Sequence, residues 1–267
     1  MSTIRLLIQV LDAAKSLLAR PGNDFSWSSW NNADDAVQEL DTYLQNLAEG
    51  RTPPLSTLGV LFAPTGPIQE VSLSSGWGDE FLALANRFDE AMALWDVEQA
   101  RAVIERENYE TALELLRPHA EAGVLEAQFL MGFLYFTSAE GTKADSLAWL
   151  ERAASRDHPG ALYYFACSGD QYDFCPPEDE RRRRLLVRSA ELGYPDAQRD
   201  LGCSYATGDY GFPKDEALGR LWYGRAAEQG HTDAQYNYGL MLLHGEGGPA
   251  DPEAGLEWVR RAGRKLE

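Results

Sequence analysis

The sequence predicts a mostly α-helical chain: an array of α/α hairpins over residues 93–267, preceded by a small α+β domain over residues 1–92. Three observations carry this reading. A similar block of residues recurs four times at spacings of 34, 36 and 37 residues, as in proteins built by stacking one supersecondary unit. Apolar residues elsewhere fall at helical spacing. Residues 57–63 and 68–74 instead alternate, with Val60 and Phe62 on one run and Val71 and Leu73 on the other, around the turn-forming Pro64-Thr-Gly-Pro67.

In the first segment, Ile4, Leu7, Ile8, Leu11, Ala14, Leu17 and Leu18 make one face of an amphipathic helix, which Arg20-Pro21-Gly22-Asn23 stops. Asp24 to Trp30 is aromatic with interspersed small polar residues, and reads as a short strand or an ordered loop. Asn31 or Asn32 can cap a second helix that runs to about Ala48, with Val37, Leu40, Leu44 and Leu47 inward. The two alternating runs form a hairpin in this reading, which needs the helices to pack on. A third helix starts near Trp77 and carries Phe81, Leu82, Leu84, Ala85 and Phe88, and a separate helix covers about Trp95 to Arg106.

The recurring block begins as Ala127-Gln-Phe-Leu-Met-Gly-Phe-Leu-Tyr135. It returns as Ala161-Leu-Tyr-Tyr-Phe-Ala-Cys167, Ala197-Gln-Arg-Asp-Leu-Gly-Cys-Ser-Tyr205 and Ala234-Gln-Tyr-Asn-Tyr-Gly-Leu-Met-Leu242. A second helix follows each, clearest in Leu221-Trp-Tyr-Gly-Arg-Ala-Ala-Glu-Gln-Gly230. Small residues at Ala127, Ala161, Ala197 and Ala234, and at Gly132, Gly202 and Gly239, let helices approach closely. Trp149, Trp222 and Trp258 fill the space between hairpins. Gly123, Gly193 and Gly230 suit left-handed helix ends.

These residues resemble the consensus of the Sel-one-like repeat (SLR) family, an A-x3-L-G-x2-Y helix followed by a W-Y-x-K-A-A-x-x-G helix. The likeness is clear over residues 127–267, and Asn108 to Gly123 matches the second helix of an earlier repeat. The second repeat departs from it, since Ser168 to Pro177 lacks the Gly pair of the family's turn. The resemblance implies a right-handed α/α solenoid that binds other proteins on its concave face, as regulatory adaptors do and as bacterial immunity proteins do when they neutralise secreted toxins. On that face the variable first-helix positions are Phe129, Phe133, Phe136, Tyr163, Tyr164, Arg199, Asp200, Tyr236 and Asn237, with Cys203 beside them. Aromatics with polar handles are interface chemistry.

Composition narrows the function. Lys plus Arg number 24 against 42 Asp plus Glu, a formal net charge of −18. Such a surface repels phosphate backbones and anionic membranes and attracts cationic partners. A protein partner with a basic surface is therefore expected, and no nucleic acid or membrane. Residues 1–100 carry 5 basic and 14 acidic side chains, so the acidity is not a tail. Arg181–Arg184 with Arg188 is a local exception, read as a solvated outer face or as a contact for an acidic partner or a neighbouring copy of this protein. Cys167, Cys175 and Cys203 have no disulfide-framework spacing. The N-terminal segment is too interrupted by charge for a signal peptide or a membrane span, and a cytoplasmic protein with reduced thiols is expected.

No catalytic motif, cofactor loop or metal-ligand spacing is present. His119, His158, His231 and His244 are scattered; His158 and His231 occupy equivalent inter-repeat turns, which points to structural roles. The expectation is a scaffold without catalysis, cofactor or metal. An enzyme site in residues 1–92 is the weaker alternative.

Overall fold

The computed structural model describes residues 3–51, 53, 55–138, 141–167 and 180–263, and the chain divides into two compact units, Met1–Ala102 and Val103–Glu267. Among the described residues all regular structure is helical.

The first unit contains α1 (Thr3–Leu18), α2 (Ala33–Ala48), α3 (Leu55–Phe62), α4 (Pro67–Ser75) and most of α5 (Gly78–Ile104). The apolar stripe of α1 is buried as its spacing predicts, with Leu7, Val10, Leu11, Ala14 and Leu18 in the core. Asn32 caps α2 by accepting from the Asp35 amide, satisfying a donor that the helix leaves unpaired. Phe62 of α3 stacks on Phe88 of α5 at 4.2 Å between ring centroids.

The expected hairpin is not there: residues 57–62 fall in α3 and residues 68–74 in α4, with Ala63 just past the end of α3, so the α+β reading of the N-terminal domain is corrected to all-α among the described residues. The reason lies in which residues are buried. Leu58, Leu61 and Phe62 share a face at i, i+3 and i+4, as do Ile68, Val71 and Ser72, while Val60 and Leu73 point to solvent. In a seven-residue run rich in apolar side chains, positions that fit a two-residue period and positions that fit a 3.6-residue period are both present, and only the packing separates them. Pro67 is the first residue of α4, where its missing N–H costs nothing. The helices expected near Trp77 and over Trp95–Arg106 are one continuous helix, α5, because no breaker interrupts Gly78–Ile104.

The second unit opens with the end of α5 and α6 (Tyr109–Glu121). Four hairpins follow: α7 (Leu125–Thr137) with α8 (Lys143–Ala154), α9 (Pro159–Cys167) with α10 (Glu180–Glu191), α11 (Pro195–Thr207) with α12 (Glu216–Glu228), and α13 (Thr232–His244) with α14 (Pro252–Arg261). Each second helix also packs on the first helix of the next hairpin, so neighbouring hairpins bury apolar surface against one another along the stack.

Close approach is enforced where small residues recur. A Cβ on Gly202 of α11 would sit 2.7 Å from the Tyr223 ring of α12. At the ends of second helices, Gly123, Gly193 and Gly230 adopt positive φ, and Asp157 does so at the end of α8 in the first repeat, where no glycine is available. A side-chain ladder closes the same ends: Gln128, Gln198 and Gln235 donate to the carbonyls of Ala120, Ala190 and Ala227 at 3.1, 3.0 and 3.2 Å. Each of these carbonyls already accepts the amide of the glycine three residues on, so the glutamine uses the second acceptor position of a helix-end carbonyl to tie the next helix to it. Trp222 packs against the cluster of Leu186, Ala190, Ala197 and Leu201, bridging two hairpins. On the outer side Arg152, Arg225 and Arg261 lie over Trp149, Trp222 and Trp258, 4.5–4.7 Å from the ring centroids.

Candidate protein-interaction face

The first helices α7, α9, α11 and α13 hold equivalent positions in the stack, so residues at equal offsets from Ala127, Ala161, Ala197 and Ala234 form rows. Two offsets carry most of the candidate residues: Phe129, Tyr163, Arg199 and Tyr236 in one row, and Leu130, Tyr164, Asp200 and Asn237 in the next. A further turn adds Phe133 and Phe136 from α7.

The structure draws the α7 and α9 members into one aromatic cluster. Tyr164 meets Phe133 and Phe136 edge to face, at 5.2 and 5.4 Å between centroids, and Tyr163 at 5.3 Å. Phe129 stacks on His158 at 4.3 Å, and the equivalent Tyr163 packs on Tyr194 at 5.3 Å. Offset and edge-on geometries of this kind are the favourable ones for aromatic rings. Gly160 makes the cluster possible: a Cβ there would lie 2.7 Å from the Phe129 ring and 3.1 Å from Tyr194. The equivalent residue of the third repeat is Asp196, so the second repeat gives up a carboxylate to let the rings close.

Where the aromatics end, a polar network begins. Tyr163 Oη donates to Asp200 Oδ2 at 3.1 Å, and Arg199 Nη1 lies 2.6 Å from Asp200 Oδ1. Burial raises the Asp200 carboxyl to about 6, against the opposing pull of Arg199 and of the Tyr163 hydrogen bond. Burial likewise pushes the hydroxyls of Tyr163, Tyr164 and Tyr194 upward, so all three remain neutral donors. Tyr194 is also hydrogen-bonded to Tyr164 and Asp196.

The histidines are part of this framework. His158 Nδ1 accepts the Ala161 amide at the start of α9 while its Nε2 lies 2.9 Å from Glu126 of α7. His231 repeats the arrangement one hairpin pair later, with Nδ1 on the Ala234 amide and Nε2 3.3 Å from Asp196. A neutral ring with the proton on Nε2 satisfies both contacts, capping one helix and holding the acid of the previous one. These acids at Glu126 and Asp196 escaped the sequence reading. The signal was available, because each lies two residues past the helix cap, but only the stack shows that it meets the next repeat's histidine.

Of the nine residues singled out from sequence, Phe129 and Asp200 are buried, at 8% and 4% exposure, and the other seven are partly accessible. Phe129 and Asp200 therefore support the face from beneath. Tyr236 and Asn237 lie on α13, two hairpins along from the aromatic cluster. Arg188 makes paired hydrogen bonds to Asp157 at 2.9 and 3.3 Å, and Arg183 donates to the Gly211 carbonyl, so part of the basic run on α10 fastens neighbouring turns. The altered turn Ser168–Pro177, with Cys175, lies outside the described residues. Among the described residues no helix is long and apolar enough to cross a membrane, and no group of three or more His, Cys, Asp or Glu could hold a metal ion.

The second unit is thus an α/α-hairpin repeat array with a mixed aromatic and acidic face. The chain carries Sel1 repeats, matched at residues 125–158, 195–231 and 232–265. The unmatched stretch between them is the hairpin α9–α10, where Gly160 replaces the acid and the turn is altered. Among curated proteins, 156 residues are 33% identical to chitin synthase regulatory factor 3 of Schizosaccharomyces pombe, over 55% of this chain and 17% of that protein. A further 160-residue alignment, 29% identical, covers 58% of this chain and 31% of an uncharacterized protein of Neisseria meningitidis. The chain spans less than a third of the length of either. Among solved structures, an Escherichia coli protective antigen displaying an SLR fold superposes with a TM-score of 0.54, at 23% identity, over 85% of this chain and 48% of that one.

Proposed function

We propose that this protein is a binding scaffold whose first-helix face captures a protein partner with a basic surface, and that it acts by masking that partner, in the manner of an immunity protein that neutralises a toxin or effector. The observation that carries the binding site is the cluster of Phe133, Phe136 and Tyr164. Three partly accessible rings are held edge to face on a rigid floor of Phe129 and Gly160. Rings fixed in advance lose little conformational entropy when a partner covers them, which is what makes aromatic side chains effective anchors. Glu126 and Asp196 flank the rings with negative charge, and the net charge of −18 extends that preference to long range.

A second reading has its own support. The fission-yeast relative is a chitin synthase regulatory factor, which favours a regulatory adaptor that joins two proteins over one that silences a single target. Both readings use the same face and differ in outcome.

Affinity capture from the native host, with the wild-type chain and with a Phe133→Ala, Phe136→Ala, Tyr236→Ala variant, tests them. The scaffold reading expects a basic protein retained by the wild type and lost by the variant. Co-expression then separates the roles: a captured protein that is toxic alone and tolerated beside the wild-type chain supports masking. One that stays active in the complex supports the adaptor. Equal capture by the variant would place the site elsewhere.

A further inference from the structure

We propose that the N-terminal unit carries a docking surface of its own, built on Trp27, Leu73 and Leu82, for a protein segment that presents apolar side chains flanked by Lys or Arg. It does not depend on the repeat face.

Trp27 is 78% exposed, the only one of the seven tryptophans turned out to solvent. It is not on a loose loop. Asn23 accepts from Trp77 Nε1 at 2.9 Å and donates to the carbonyls of Leu17 and Leu18 that end α1. The Asp24 amide donates to Ser75 Oγ, and Ser74 Oγ donates to the Asp24 carbonyl, both at 2.8 Å. The Ser28 amide closes a turn onto the Phe25 carbonyl at 3.1 Å, with Ser26 and Trp27 at its centre. Phe25 and Trp30 on either side pack into the core. Six hydrogen bonds and two anchoring rings thus fix a turn whose exposed indole makes no use of the core beneath it.

The same serines place α4 beside this turn. Leu73, next to Ser74, is 63% exposed and leans over the start of α5, 3.5 Å from where a Cβ on Gly78 would be. Leu82, one turn further along α5, is 57% exposed. An exposed tryptophan with two exposed leucines around one helix junction is apolar surface of the kind that marks interaction sites.

Charge selects the occupant. Asp24 is tied to the end of α4 and Asp79 lies in the first turn of α5, with Glu70 at the start of α4, while Arg20 is held by Glu80 at 3.4 Å. Residues 1–100 carry 5 basic side chains against 14 acidic ones. A second copy of this chain, or an anionic bilayer, would bring like charge against that rim. A cationic, apolar protein segment brings the opposite sign and covers the leucines and the indole.

Calorimetric titration of the full chain tests this with three probes: a synthetic amphipathic peptide of leucine and lysine, its leucine and glutamate counterpart, and phosphatidylglycerol vesicles. The expected result is one site for the lysine peptide in the N-terminal unit. That site is weakened at least tenfold by Trp27→Ala and by Leu73→Ser, and unaffected by Phe133→Ala with Phe136→Ala. Both N-terminal positions are exposed, so melting should not change. Binding that ignores Trp27 and Leu73 overturns the proposal, as does equal binding of the glutamate peptide or the vesicles. Self-association that Trp27→Ala abolishes in sedimentation would make the occupant a second copy and overturn it as well.

Discussion

The Tyr163 hydroxyl of α9 donates to Asp200 Oδ2 of α11 at 3.1 Å, and that bond seats a carboxylate inside the repeat stack. Burial raises the Asp200 carboxyl to about 6, above the ordinary Asp value near 3.9. The folded protein therefore binds this proton more tightly than the unfolded chain does. The contribution of Asp200 to stability is fully present below about pH 4 and is lost as pH rises through about 6. Asn occupies the equivalent position in the fourth repeat, at Asn237, which makes Asp200→Asn a conservative change. The variant should gain stability relative to the wild type between pH 4.5 and 7.5, by about 2 kcal/mol across that range. Urea unfolding at the two pH values reads the difference, and an unchanged difference would show that Asp200 titrates normally.

Gly160→Ala should destabilise the protein, because its Cβ would enter the Phe129 ring and the rings on both sides are already in contact. Overpacking of this kind costs about 1–3 kcal/mol. Gly59 of α3 is the control: a Cβ there meets nothing within 4 Å, so Gly59→Ala should be neutral or slightly stabilising by removing backbone freedom from the unfolded chain. Denaturant midpoints of the two variants should move in opposite directions or differ clearly.

Trp222→Ala should lower stability by about 3 kcal/mol, since it empties the contact between the second and third hairpins and removes the surface under Arg225. Tyr236→Ala should leave melting nearly unchanged and weaken partner binding. Circular dichroism melts with a binding assay on both variants decide; equal melting losses would make Tyr236 a core residue.

Association with a basic partner should slow steeply as ionic strength rises from low to physiological, while dissociation, set by the aromatic contacts, should change much less. Stopped-flow or surface-based kinetics at several salt concentrations measure both rates. An association rate indifferent to salt would remove charge from the recognition.

The sequence by itself determined the repeat array. Ala197, Gly202, Trp222, Tyr223, Ala226 and Gly230 each meet a local requirement for small size, ring volume or left-handed backbone, and such requirements repeat with the structural unit and show through the chain. It also put Phe129, Tyr163, Arg199 and Tyr236 at one offset within their repeats, and equal offsets give equivalent positions on the stack. Only the tertiary structure decided the rest. Residues 57–62 and 68–74 are too short for periodicity to separate strand from helix, and became part of α3 and α4 because Leu58, Leu61, Phe62, Ile68 and Val71 have a helical core to cover and no strand to pair with. Phe129 and Asp200 look like surface residues in the pattern and are buried, because the next repeat's His158 and the previous repeat's Tyr163 close over them. That closure is a contact between residues 29 and 37 positions apart, and no property of either residue alone specifies it.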